Sequence, residues 1–167
     1  MGVISRIRRQ SRGGTLSTSL PPTGEGAAGM LAVARRLYDN PSAVTLSDGR
    51  QLGYAETGDA DGDPVLTFHG IPNGRLGAAV FDAVGRELGI RIIAPERPGV
   101  GVSDSNPDRE LVDWPADVAA LLDALGIDEA PVLGISGGGP YALACGAVAP
   151  TRFPRVATSC SLGPLAS

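Results

Sequence analysis

Pro131-Val132-Leu133-Gly134-Ile135-Ser136-Gly137-Gly138-Gly139-Pro140-Tyr141 decides the fold. The apolar run from Pro131 to Ile135 reads as a buried strand, and the small-residue run from Pro140 to Ala149 as a helix. Between them lies G-x-S-x-G, Gly134 to Gly138, in the strand–turn–helix setting that this pattern requires. A serine on so sharp a turn has a strained backbone, and its hydroxyl projects from the top of the sheet. The flanking residues must be tiny because strand and helix nearly touch, and Gly134 and Gly138 meet that demand. A helix start leaves N–H groups unpaired and carries a positive dipole end. Ser136 is thus the candidate nucleophile and the Gly137 N–H a candidate donor to an oxyanion.

Working outward, the same alternation continues in both directions. Ala43–Leu46 and Gln51–Ala55 read as a hairpin around Asp48-Gly49. Val65–Phe68 and Ile90–Ala94 are short apolar runs of the kind that form buried strands. Val80, Phe81, Val84 and Leu88 fall at helical spacing, with Gly89 as the stop. Asp113 reads as an N-cap followed by Pro115 in the first turn. Trp114, Val118, Leu121, Leu122 and Leu125 then form one apolar stripe that Gly126 ends. Val156–Ser161 is the last strand. Strands separated by helices predict an α/β fold, a mostly parallel sheet with helices on both faces, and the opening hairpin adds an antiparallel edge.

Composition bounds the function. Of 167 residues 43% are hydrophobic, enough for one core, and 24 glycines with 14 prolines make the chain rich in turns. All 14 basic residues are arginine, and Arg6, Arg8, Arg9 and Arg12 stand in an acid-free start. The rest of the chain carries all 18 acidic residues, so the body repels nucleic acid. No apolar stretch is long enough for a membrane helix, and no apolar segment follows Arg8-Arg9 as an export signal requires, so the expected location is cytoplasmic. Residues 1–40 read as a flexible basic tail with a short helix at 30–38, and translation starting at Met30 is an alternative to Met1. Two cysteines and one histidine at no metal-ligand spacing imply neither a disulfide framework nor a metal site. Cys145 and Cys160, on an expected helix and strand, read as buried inert thiols. Gly24 to Gly29 matches G-x-G-x-x-G by letter, but Pro21-Pro22 stands where a dinucleotide fold needs a strand.

A second pattern follows the third strand: His69-Gly70-Ile71-Pro72. A third follows the fourth strand: Pro95-Glu96-Arg97-Pro98-Gly99-Val100-Gly101-Val102-Ser103-Asp104. With the hairpin before them and the serine turn after them, residues 41–167 resemble the N-terminal portion of the α/β-hydrolase superfamily, in its branch of esterases, aminopeptidases, haloperoxidases and epoxide hydrolases. The resemblance implies that Ser136 is the nucleophile and that the N–H groups of Ile71 and Gly137 hold the oxyanion. It gives His69, with Gly70, the role of bracing the oxyanion loop, not that of the base. It implies acyl-enzyme chemistry on esters, amides or lactones, a small-molecule acyl substrate, and no cofactor. Epoxide hydrolases and dehalogenases of this fold carry an aspartate where this chain has Ser136.

Family order is nucleophile, acid, histidine, and residues 137–167 contain no Asp, Glu or His. The sheet is therefore expected to be truncated after its sixth strand, and the isolated chain to be nearly inactive. An unpaired last strand invites self-association. The competing expectation is a catalytically inactive truncated or half-domain hydrolase-fold protein.

Overall fold

The computed structural model describes residues 23–163, with residues 23–25 described in backbone only. Helix α1, Thr23–Asp39, precedes strand β1, Ser42–Thr45, and β2, Gln51–Gly58. Then come β3 (Asp63–Phe68), a 3-10 segment (Arg75–Phe81) running into α2 (Asp82–Leu88), and β4 (Ile90–Pro95). After a long loop, α3 (Trp114–Ala124), β5 (Val132–Ile135), α4 (Gly139–Val148) and β6 (Val156–Ser159) complete the order. The six strands make one sheet in the order β1-β2-β4-β3-β5-β6. β1 and β2 are antiparallel to their neighbours, and β4, β3, β5 and β6 run parallel. This is the α/β architecture that the alternation predicts.

Both faces of the sheet are covered, and the pleat explains how. Ile93 points into the larger core, where Leu52, Leu66, Phe68 and Val132 meet Trp114, Val118, Leu121 and Leu122 of α3 and Ala142 and Cys145 of α4. Its neighbours Ile92 and Ala94 point the other way, onto Ala78 and Phe81. Each fully buried Leu, Ile or Phe contributes about 1.5–3 kcal/mol, so α3 alone anchors one face firmly. Trp114 is a core residue, as its place at the head of that stripe suggests. Its ring meets Phe68 and Tyr141 edge-on, with centroids 5.4 and 5.7 Å away. Gly126 takes φ +69° just past α3, the left-handed stop read from the sequence.

Three expectations need adjusting. The helix expected over 30–38 spans Thr23–Asp39, so part of the segment read as a tail is helical. Gly24, Gly26 and Gly29 lower helix propensity, but a helix anchored by buried Leu37 gains one backbone bond for each residue it extends. The glycines Gly24 to Gly29 thus lie inside a helix instead of at a phosphate-binding turn. Residues 1–22, with the arginine-rich start, lie outside the described residues. The stripe Val80, Val84 and Leu88 is helical but faces outward. What α2 buries is Asp82 and Gly85, because it lies so close to β2 that a methyl on Gly85 would stand 2.8 Å from the Gly58 Cα. Cys160, expected buried, is exposed at φ +50° just past β6, whereas Cys145 is buried as expected.

Candidate active site

The turn at Ser136 has the geometry that its sequence demands. Ile135 is still extended (φ −113°, ψ 127°), and Ser136 swings to φ +50°. That left-handed conformation is unfavourable for any residue with a Cβ, by about 1–2 kcal/mol. The glycines around it are sterically required. A Cβ on Gly134 would stand 2.7 Å from the Gly138 oxygen and 2.8 Å from the Ala142 Cβ. One on Gly138 would run into the Phe68 carbonyl and lie 2.9 Å from the His69 oxygen. β5, the head of α4 and the end of β3 therefore meet at backbone contact.

The loop 69–72 lies directly across this turn. A Cβ on Gly70 would stand 3.1 Å from the Ser136 Cβ and 3.6 Å from its Oγ. One on Gly137 would stand 3.7 Å from the Ile71 nitrogen. The structure thus brings together all five residues singled out in the sequence: Ser136, Gly137, Ile71, His69 and Gly70. The Ile71–Pro72 peptide is cis, and the Ile71 side chain projects into solvent.

His69 is buried, and both ring nitrogens are engaged. Nδ1 lies 2.9 Å from the Gly70 oxygen, and Nε2 accepts the Arg97 N–H at 3.4 Å. Nε2 must therefore be the unprotonated nitrogen and Nδ1 the donor, which fixes the neutral tautomer. Burial, reinforced by the Arg97 charge, holds the imidazole below its ordinary pKa against the raising effect of the Gly70 bond and the Glu96 charge.

The charged residues that hold this loop were quoted in the sequence but given no role there. Arg97 is buried, and its guanidinium forks onto two successive carbonyls, Nη1 to His69 at 2.6 Å and Nη2 to Gly70 at 3.1 Å. The same group lies over the Tyr141 ring, 5.3 Å from its centroid. Glu96 faces away from Arg97. Its carboxylate takes Arg75 Nη1 at 2.9 and 3.0 Å, the Arg75 N–H at 3.2 Å and the Val102 N–H at 2.8 Å. Gly53, Gly74 and Gly101 wall this carboxylate in, and a Cβ on any of them would press on it. Arg75 Nη2 reaches on to the Leu37 carbonyl of α1. The available signal was a pair of charges directly after an apolar strand, followed by glycines at 99 and 101. Their partner Arg75 had no sequence signal.

Among the described residues no three His, Cys, Asp or Glu side chains form a metal-binding group, and no helix is long and apolar enough to cross a membrane. Cys145 is 0% exposed, and burial pushes its thiol up to about 12.

Residues 63–167 match a model of the alpha/beta hydrolase fold family, and the chain belongs to that family. A non-heme chloroperoxidase of Streptomyces lividans is 39% identical over 100 residues, 58% of this chain and 35% of that protein. A haloalkane dehalogenase of Psychrobacter cryohalolentis is 32% identical over 120 residues, 68% of this chain and 39% of that protein. A solved hydrolase from Pseudomonas aeruginosa PA01 superposes with a TM-score of 0.61 at 31% identity, over 75% of this chain and 48% of that one. The chain spans little more than a third of the length of these curated relatives.

Proposed function

We propose that this member of the alpha/beta hydrolase fold family carries the nucleophile and the oxyanion site of a serine hydrolase acting on esters, amides or lactones. The observation that carries the reading is Ser136 at φ +50° between β5 and α4, with the Gly70–Ile71 peptide lying across it. Ser136 Oγ attacks the acyl carbonyl, and its proton passes to a general base. The carbonyl oxygen becomes an oxyanion held by the N–H groups of Ile71 and Gly137. Collapse expels the protonated alcohol or amine, and water then hydrolyses the acyl-serine.

The identity of the nucleophile separates this chain from its dehalogenase relative. A carboxylate that displaces a halide forms an ester, which water can cleave. A serine doing the same would form an ether, which water does not cleave. Acyl transfer is the chemistry that regenerates Ser136.

His69 does not supply the base, because both of its nitrogens are engaged with backbone groups. No Asp, Glu or His stands in residues 137–167. The general base is therefore a group other than His69 and lies outside residues 137–167. The second reading, a hydrolase-fold chain without catalysis, rests on His69, the one histidine in the sequence, being held by backbone groups at both nitrogens.

The test is reaction with a fluorophosphonate probe and turnover of p-nitrophenyl esters, with Ser136→Ala as control. Labelling and turnover that vanish in Ser136→Ala support the serine reading. Turnover that survives this substitution overturns it.

A further inference from the structure

We propose that Arg97 is a positioning residue of the oxyanion site, acting through the Gly70–Ile71 peptide. This rests on the reading of the Ile71 N–H as an oxyanion donor. The Gly70 carbonyl and the Ile71 N–H belong to one planar amide. Among the described residues the only cis bond is the next one, Ile71–Pro72. In a trans amide the C=O and N–H point in opposite directions. Whatever holds the carbonyl therefore aims the N–H.

Three groups hold that carbonyl, the Arg97 guanidinium at 3.1 Å, His69 Nδ1 at 2.9 Å and the Asn73 N–H at 3.2 Å. The nitrogen on the far side faces Gly137, the other proposed donor. Arg97 does more than His69 here. Its second prong takes the preceding carbonyl, at His69, so the fork fixes two successive peptides. Its ring contact is to Tyr141, in the first turn of α4, the helix that follows directly on the 3-10 turn Ser136–Gly138 that carries Gly137. One rigid cation thus ties both donors to a common body. A charged donor on the carbonyl also polarises the amide and strengthens its N–H as a donor. Glu96 leaves that charge uncancelled, because its carboxylate is committed to Arg75 and the Val102 N–H. A lysine at 97 would keep the charge but lose the planar fork.

The test uses the protein as its own gene encodes it, with Arg97→Gln and Arg97→Lys. Removing one oxyanion donor outright costs on the order of 100-fold in kcat. Misaiming one is expected to cost about tenfold or more in kcat, with KM within about twofold, because the loss falls on the transition state. Arg97→Lys is expected between Arg97→Gln and the parent. In the same variants the Gly70 carbonyl 13C and Ile71 amide 15N resonances shift while the melting curve stays cooperative, which a remote packing defect would not produce. If neither variant folds, the through-hydrogen-bond coupling from the Arg97 guanidinium nitrogen to the Gly70 carbonyl carbon is measured in the unmodified protein. Its presence supports the proposal and its absence overturns it. A folded Arg97→Gln protein with parental kcat or unmoved Gly70 and Ile71 resonances overturns this inference alone, provided that Ser136→Ala is dead. If Ser136→Ala retains turnover, or Ser136 neither labels nor turns over ester, the serine reading fails and this inference falls with it.

Discussion

The carboxylate of Glu96 meets the guanidinium of Arg75 at 2.9 Å, with the two side chains only 2% and 6% exposed. The pair ties the loop after β4 to the segment after loop 69–72, and through the Leu37 carbonyl to α1. Removing one partner of a buried pair leaves the other charge uncompensated, which costs about 3–5 kcal/mol. Glu96→Ala should lower unfolding stability by that amount in urea. The double variant Arg75→Met, Glu96→Leu should recover much of it. Equal losses in the single and double variants would show that the ion pair is not what is being broken.

Stability should depend on pH through His69, the one histidine in the chain. Its folded pKa lies below the ordinary 6.5, mainly because burial penalises the cation. The unfolded chain then binds the proton more readily than the folded one. The contribution is fully present above pH 6.5 and is lost as pH falls from there toward the lower folded pKa. Melting temperature should therefore decline as pH falls below about 6.5. His69→Gln should flatten that slope, and an unchanged slope in the variant would assign it to other groups.

Ser136 sits at φ +50°, and a glycine there would carry no Cβ strain. Ser136→Gly is expected to raise stability by up to about 1 kcal/mol, the strain relieved less the entropy of the added glycine. Reaction with a fluorophosphonate should disappear at the same time. A lower denaturation midpoint for Ser136→Gly would show that the turn is not strained.

Two glycines make a paired steric test. Gly126 has φ +69° with nothing within 4 Å, so Gly126→Ala meets only backbone strain, about 1–2 kcal/mol. Gly138 has an ordinary φ of −81°, yet a methyl there collides with the Phe68 carbonyl. Gly138→Ala should cost about 3 kcal/mol or more, because backbone must move. The reverse ranking in chemical denaturation would refute the close approach of β3 to the head of α4.

The two thiols should react in sequence with Ellman's reagent at pH 8. Exposed Cys160 reacts at once. Cys145, fully buried with its thiol pushed up to about 12, reacts only on denaturation. Two thiols titrating at the same rate in the native protein would contradict the packing of α4.

The alternation of apolar runs and helical stripes was enough to read the sheet, because each element either alternates or buries a stripe on its own. The serine turn and the loop across it were legible for a similar reason. Their glycines are dictated by contacts that any such turn must make, as Gly134 and Gly138 show. Length of α1 was not legible, since its glycines speak against a helix and what anchors it, Leu37, is set by tertiary contact. Nor could the outward face of α2 be read, because the close approach of Gly85 to Gly58 depends on where β2 ends. The pairing of Glu96 with Arg75 joins residues 21 positions apart, across a strand and a helix. Arg97 was visible as a residue but not as a fork, because its acceptors are backbone carbonyls, which leave no mark on composition.

Glu96 is held by four hydrogen bonds, so it cannot swing aside for a neighbour that grows. The surrounding glycines come from β2, from the head of the 3-10 segment and from the loop after β4. In a lineage this arrangement works as a ratchet. While glutamate stays at 96, a methyl at 74 would stand 3.0 Å from its carboxylate, so glycine is favoured there. Should a shorter acid replace the glutamate, Gly74 is released to drift. Each methyl that accumulates there then closes the space into which the glutamate would have to return.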